Sequence, residues 1–397
     1  MVTTPKSTRL QLVFVGRSNS GKSSLLNLIC GNNAAITSSV PGTTTDVVEK
    51  AMEFRPFGPV LLLDTAGIDD LTELGTKRIE RTNNAIKRAD VLIIVCRAGM
   101  WGSFEDELLN IADKNKIPAM AFFTHTDLFE TAENFNRCPW TSGCTLPEKS
   151  NRDMTLDSVR TVLDTLLKDK IQQEIPLLRD LVPAGETVIM MVPIDNQAPK
   201  GRLILPQVQA IRDVLDANAS VIVANENNFS AILDTLKTSP SLAVCDSQVV
   251  HQMVKVLPHD IKCTTFSILF ARQKGDLELL YAGASKIDTL QDGDRILIAE
   301  ACSHHAADDD IGRVKIPRLI EKKCGKKLIF DVISRDFPEN LKDYKLIIHC
   351  GSCMLNRRET LSRLEFAQAS GIPVTNYGMA ISHCQGVLKR VMSPFIS

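Results

Sequence analysis

Gly16-Arg17-Ser18-Asn19-Ser20-Gly21-Lys22-Ser23 follows at once on the apolar run Leu10–Val15. The eight residues spell G-x-x-x-x-G-K-S between a predicted strand and a predicted helix, the context in which that spacing is a phosphate-binding loop. Its glycines let the backbone bend until N–H groups point at phosphate oxygens, and the helix N-terminus behind it adds a positive end. Lys22 is then placed to reach the β and γ phosphates and Ser23 to hold magnesium. Gly16, Asn19, Ser20, Gly21, Lys22, Ser23 and Ser24 are the candidate nucleotide-binding residues of the loop.

The pieces downstream separate GTP from ATP. Pro41-Gly42-Thr43-Thr44-Thr45-Asp46 precedes one strand, and a second, Val60–Leu63, ends in Asp64-Thr65-Ala66-Gly67. Asp64, at a strand end, can bind magnesium through water, and Gly67 can offer its N–H to the γ-phosphate. This order of motifs resembles the translation-factor-related GTPases, and within them the branch of the Era-type and tRNA-modification GTPases. The resemblance implies that Ser23, Thr44 and Asp64 hold Mg2+ and that Lys22, Thr44 and Gly67 assist hydrolysis. Members of that branch activated by potassium carry an asparagine where Asn19 stands, so K+ is an implied cofactor. The plain alternative for Asn19 is an amide that caps its own loop.

Where that branch has Asn-Lys-x-Asp to read guanine, this chain has Thr124-His125-Thr126-Asp127, after the predicted strand Pro118–Phe123. Asp127 can still accept from the guanine ring N–H and amino group. The missing asparagine and lysine remove a hydrogen bond and a stacking stem, so a weakened preference for guanine is expected. Ser142 or Gly143, within Cys138–Cys144, is the candidate for the last base-contacting loop. Helices over Leu74–Ala89, Glu105–Lys114 and Leu156–Leu167 and a strand over Val91–Cys96 complete a first domain at residues 1–172.

From Glu186 the pattern restarts. Strands are expected at Val188–Val192, Val221–Ala224 and Leu242–Val244, and helices at Leu205–Ala217, Phe229–Thr238 and Gln248–Val256. So small a sheet makes a marginal core. Its apolar strands Val188-Ile189-Met190 and Val221-Ile222-Val223 would leave edges to be covered. Residues 180–260 therefore read as a homodimerisation domain, with packing inside the chain as the other possibility.

The third part, residues 263–397, alternates strands at Phe266–Ala271, Arg295–Ala299, Leu328–Val332 and Leu346–Ile348 with helices at Arg313–Lys323, Glu359–Ala369 and Met379–Met392. Two of the strands lead into Cys302-Ser303-His304 and His349-Cys350-Gly351-Ser352-Cys353. Parallel strands gather ligands at their carboxyl ends, so the two turns should meet on one edge. Three thiolates suit an iron–sulfur cluster, or zinc with one histidine as the fourth ligand. A short Cys-x-x-Cys also arises by chance and packs as small apolar residues. Asp308-Asp309-Asp310 reads as a solvated loop that caps the next helix.

Composition narrows the function classes. The chain has 397 residues, 44% hydrophobic and 23% charged, with a net charge of −1. That is an ordinary soluble globular protein of two or three domains, α/β by its alternation of strands and helices, with no basic excess to suggest nucleic acid and no run that would span a bilayer. Eleven cysteines with no regular framework point to a reducing compartment. The polar start Met1–Arg9 lacks the apolar core of a signal peptide. A cytoplasmic location is expected, with the hydrogenosome or another organelle as the variant.

A GTPase domain, a small dimerisable domain and a Cys-x-His…His-Cys-x-x-Cys domain, in that order, resemble the HydF family of FeFe-hydrogenase maturation GTPases over nearly the whole chain. The resemblance implies a 4Fe-4S cluster on Cys302, Cys350 and Cys353, with His304 and His349 at the family's histidine positions. It implies a scaffold or carrier for the two-iron precursor, working with two radical-SAM maturases and the apo FeFe-hydrogenase. The rival is an Era-like GTPase of RNA or ribosome maturation with a zinc-stabilised tail, whose basic surface the composition lacks. Cys324, His305, His383 and Cys384 are extra potential ligands outside the family pattern.

Overall fold

The computed structural model describes residues 5–31, 35–38, 47–65, 82–128, 138, 140–144, 150–172, 175–194, 203–300, 310–334, 337–338 and 340–396. The chain divides into two compact units, Met1–Glu174 and Ile175–Ser397.

The first unit is built on a seven-stranded sheet, β1 (Leu10–Val15), β2 (Ala35–Ser38), β3 (Val48–Phe54), β4 (Gly58–Asp64), β5 (Val91–Arg97), β6 (Ala119–Thr124) and β7 (Thr141–Gly143), in the order β2-β3-β4-β1-β5-β6-β7. From β4 to β7 the strands are parallel, and β2 and β3 extend the sheet antiparallel. Alternation along β1 divides its side chains between two cores. Leu12 and Phe14 pack on the face with Leu25, Val159 and Leu163, while Val13 and Val15 pack with Ala85, Leu108 and Ala112. The flanking helices are Lys22–Cys30, Ser103–Lys114 and Arg152–Gln172. Of the helix predicted over Leu74–Ala89, residues 82–87 are helical and 74–81 lie outside the described residues.

The second unit holds two four-stranded sheets, each wholly parallel. One comprises β8 (Thr187–Met191), β9 (Ser220–Ala224), β10 (Leu242–Cys245) and β11 (Lys262–Thr265), in the order β11-β10-β8-β9. The other comprises β12 (Arg295–Ala299), β13 (Ile329–Ile333), β14 (Leu346–His349) and β15 (Val374–Asn376), in the order β13-β12-β14-β15. Runs such as Leu242–Cys245 and Leu346–His349 are buried at every residue, as parallel strands covered on both faces must be. One apolar core serves both sheets, joining Ile189 and Ala243 to Ile296 and Ile347.

Several expectations are corrected here. Phe266–Ala271 is not a strand but most of a helix, Phe266–Lys274; the strand is the preceding Lys262–Thr265. The run is apolar on nearly all sides, so periodicity could not arbitrate. The deciding feature is local: Thr265 caps the helix by accepting from the Ile268 amide. Val188-Ile189-Met190 is an interior strand, and only Val221-Ile222-Val223, on β9, lies at an edge of the described sheet. The long helix predicted to end at Met392 is broken into Tyr377–Cys384 and Leu388–Val391 around Gly386, whose φ is +75°. Asp310 caps the turn Ile311–Lys315 through the Arg313 amide, as the acidic run suggested.

Candidate nucleotide site and cysteine turn

The phosphate loop leaves β1 and enters the helix Lys22–Cys30. Gly16 lies so close to β5 that a Cβ there would sit 2.2 Å from the Val95 carbonyl oxygen, and Gly21 has φ +94°. Both positions thus require glycine. Lys22 is buried, and its ammonium donates to the carbonyls of Gly16 at 3.0 Å and Arg17 at 2.7 Å. The lysine is held across the mouth of the loop by the backbone it serves. Arg17 leaves the loop sideways and pairs with Glu105, which is fully buried and also accepts from the Gly102 amide. This pair ties the loop to the start of the helix Ser103–Lys114, and no motif in the sequence announces it.

Ser23 and Asp64 come together, with Ser23 Oγ donating to Asp64 Oδ2 at 2.5 Å. Burial pushes the Asp64 carboxyl above its ordinary value, against the Ser23 hydrogen bond and the nearby Lys22 charge. Its other oxygen, Oδ1, is buried without a hydrogen-bond partner among the described residues. A hydroxyl, a carboxylate and an orphaned carboxylate oxygen on one spot fit a hard divalent cation. Thr44 and Gly67 lie outside the described residues. Asn19 is exposed with φ +58°, and its carbonyl accepts from Arg97 Nε at 3.1 Å. Ser24, in the first turn of the helix, is half-buried.

At the base end, Thr124 is fully buried, and its hydroxyl donates to the Ser20 carbonyl at 2.8 Å. His125 Nδ1 lies 2.9 Å from that same hydroxyl oxygen. The donated proton leaves the oxygen as acceptor, so Nδ1 carries a proton here. Thr124 therefore fastens the end of β6 to the phosphate loop. Asp127 is exposed in the turn beyond. Ser142 and Gly143 fall within β7, and the Ser142 hydroxyl is engaged by Ser158.

In the second unit, β12 and β14 are neighbours with Ala299 level with His349. The Cys350 amide donates to the Ala299 carbonyl at 2.9 Å, so the cysteine turn starts where β12 ends. Cys302 and His304 follow β12 directly and lie outside the described residues, as does His305. Cys350 and Cys353 are partly exposed on their turn, and Ser352 between them has φ +56°. Burial raises the Cys353 thiol and the charge of Lys274 opposes it. Among the described residues, no group of three or more His, Cys, Asp or Glu side chains is gathered for a metal ion.

His349 is buried under this turn. Its Nδ1 lies 2.9 Å from the Cys350 carbonyl and 3.3 Å from Ser352 Oγ, and its Nε2 lies 3.3 Å from Arg363 Nη1. A guanidinium only donates, so Nε2 accepts and the proton sits on Nδ1. Burial and the Arg363 charge hold this imidazole neutral, down to about 4. As arranged, the ring has no lone pair to offer a metal.

Lys274, at the end of the helix Phe266–Lys274, is the residue that sequence reading missed. It is 4% exposed, and burial lowers its ammonium to about 8, with Cys353 and Cys350 pulling the other way. In the sequence it is one lysine in the last turn of a helix, where a cation is ordinary. The extra ligands lie elsewhere: His383 pairs with Asp288 at 3.0 Å, and burial pushes the Cys384 thiol up to about 12.

Three family profiles match successive segments of the chain. A profile described as 50S ribosome-binding GTPase matches residues 11–125, one described as hydrogen maturase F dimerization domain matches 177–275, and one described as hydrogen maturase F tetramerization domain matches 278–394. The tRNA modification GTPase MnmE of Natranaerobius thermophilus is 36% identical over 125 residues, 30% of this chain and 26% of that protein. GTPase Der of Clostridium acetobutylicum is 36% identical over 138 residues, 32% of this chain and 31% of that protein. The chain thus spans less than a third of these relatives. Among solved structures, Aquifex aeolicus Era bound to GDP and AlF4− aligns with 91% of this chain and 98% of that one, at 15% identity and a TM-score of 0.33. Among the described residues, no helix is long and apolar enough to cross a membrane. A GTPase domain followed by both hydrogen maturase F association domains places the chain in the hydrogen maturase F (HydF) family.

Proposed function

We propose that the chain is a GTP-hydrolysing scaffold or carrier that holds a 4Fe-4S cluster and delivers the two-iron subcluster precursor to apo FeFe-hydrogenase. The observation that carries this reading is the level meeting of β12 and β14, where the Cys350 amide bonds the Ala299 carbonyl at 2.9 Å. Cys302 stands three residues beyond Ala299 in the sequence, and Cys350 follows the strand end level with it. The donor set fits: soft sulfur ligands on one strand edge, with a buried cation beneath them. Cys302, Cys350 and Cys353 would hold the cluster, and three protein ligands leave one iron for an exchangeable partner. His349 contributes by packing under the turn and fixing the Cys350 carbonyl.

In the nucleotide site, Lys22 neutralises phosphate charge, and Ser23 and Asp64 hold Mg2+ with Thr44. Gly67 donates its amide to the γ-phosphate, and Asp127 reads the base. An exposed Asn19, with no side-chain partner among the described residues, is suited to share a K+ ion with the phosphates. Self-association through the second unit, and exchange with the two radical-SAM maturases and the hydrogenase, complete the reading. The two maturase F domains weigh against the Era-like RNA alternative. Iron and sulfide content, with the optical and EPR spectra of anaerobically purified protein, test the cluster. Activation of apo-hydrogenase by the loaded protein tests delivery. A chain that takes up zinc and no iron under reconstitution overturns the proposal.

A further inference from the structure

Lys274 belongs to the helix Phe266–Lys274, yet its ammonium sits under the cysteine turn, donating to the carbonyls of Ser352 at 3.1 Å, Cys353 at 3.3 Å and Leu355 at 2.8 Å. An ammonium has three N–H bonds, so the turn takes up all of them. The ring of Phe270 lies 4.9 Å away and adds an apolar wall with a negative face. Among the described residues, no carboxylate pairs with this lysine. A buried charge without a counter-charge is expensive, and stability gives no reason to keep one here. Carbonyl dipoles alone would be served as well by a neutral donor. The nearby groups able to carry negative charge are the thiols of Cys350 and Cys353.

We infer that Lys274 is the counter-cation of the cysteine turn, a positioning residue that fixes its backbone and offsets the negative charge of thiolate-bound iron and sulfide. This rests on the cluster reading above. Its location adds a structural consequence. Lys274 lies in the segment matched by the dimerisation domain and the thiols in that matched by the tetramerisation domain. The same helix meets the other side of the site, where the Ser267 hydroxyl accepts from the Gly378 amide and its carbonyl accepts from Asn376. A shift of this one helix in the association domain would therefore move the charge under the cluster turn.

A cation beside a cluster favours the reduced, more negative state, so its removal should lower the reduction potential. The test uses the full-length chain reconstituted anaerobically with iron and sulfide, as wild type, Lys274→Gln, Lys274→Met and Lys274→Arg. Glutamine keeps N–H donors for the carbonyls and loses the charge; methionine loses both; arginine keeps both. Expected for Gln is wild-type iron and sulfide content with an about tenfold lower ratio of reduced to oxidised cluster at a fixed potential, about 59 mV for one electron. Met should show the same shift with some iron lost, and Arg should stay near wild type. A Gln variant with the wild-type potential overturns the inference. So does one that loses its iron or fails to melt cooperatively, since the lysine would then be a pillar of the turn and nothing more. Absence of a cluster from wild type would sink the cluster reading instead.

Discussion

The Cys350 amide and the Ala299 carbonyl are hydrogen-bonded at 2.9 Å, so the first residue of the cysteine turn is tied to the last residue of the neighbouring strand. The two strands that lead to the cysteine motifs thereby end level on one sheet. Beneath the turn that holds Cys350 and Cys353 lie two buried nitrogen groups of different kinds. Lys274 is a cation bonded to carbonyls, and His349 is a neutral ring between a carbonyl and Arg363. The turn is thus held from below by donors, with its sulfur atoms left for other work.

The nucleotide site separates hydrolysis from base selection. Lys22→Ala should abolish GTP hydrolysis and leave iron content unchanged, because the lysine is bonded within its own loop. Thr124→Ala should weaken GTP and ATP alike, since the lost bond runs to the Ser20 carbonyl and not to a base. The double change Thr124→Asn with His125→Lys should restore preference for guanine by about 1–3 kcal/mol, the worth of a buried hydrogen bond. Phosphate release and iron content read the first, and competition of ATP against labelled GTP reads the other two. An alanine variant that loses GTP affinity alone would show that Thr124 senses the base.

Glu49 gives the first unit an acid-sensitive contact. Burial pushes its carboxyl up, but Lys6 and Arg88, the latter at 2.8 Å, outweigh this and hold it below its ordinary value. A carboxyl depressed in the fold stabilises it above its unfolded pKa, and that contribution is lost as pH falls through the folded value. Glu49→Gln should therefore lower the melting temperature at pH 7 and make little difference at a pH well below the ordinary carboxylate range. An equal deficit at both pH values would mean that packing, not charge, is what the substitution removes.

Association should depend on β9. This strand is one of the two edges of its sheet among the described residues, and Val223 on it is 41% exposed. Val223→Lys puts a charge on that edge, a known way of blocking strand pairing and apolar contact. Light scattering should report a smaller species than wild type at the same concentration. Unchanged mass would move the dimer contact to another face.

Most of the fold was legible because its strands are parallel and buried. Leu10–Val15, Val60–Leu63 and Leu346–Ile348 are apolar runs closed by a motif, and motif and strand support each other. The phosphate loop was legible for the same reason: its glycines answer to a contact with Val95 and to a positive φ. What escaped was one local cap and a set of distant partners. Phe266–Ala271 is as apolar as a strand and became a helix through one cap at Thr265. Lys274, Arg363 and Glu105 act through partners 78, 14 and 88 residues away, and no local spacing encodes such pairs. His349 opens the His-Cys-x-x-Cys run, yet its burial and its arginine neighbour were invisible to the motif.

The cysteines and His349 should part company when they are replaced. Cys302, Cys350 and Cys353 would each bind one iron, and two remaining ligands hold a cluster poorly, so each Cys→Ser variant should lose most of its iron. His349→Ala removes a buried ring and leaves the Arg363 and Cys350 contacts unmet. It should destabilise the second unit by about 2–4 kcal/mol in a denaturant titration, through cavity and unpaired polar groups together. Its iron content should stay near wild type, with a changed EPR line shape, because the turn shifts while its sulfur ligands remain. Cys384→Ser should do neither. A thiol whose burial holds it up to about 12 is not a thiolate at neutral pH and makes a poor ligand. If His349→Ala strips iron as fully as Cys350→Ser while the apo-protein stays as stable as wild type, the ring is a ligand. Its lone pair would then have to be freed from Arg363 when the cluster binds.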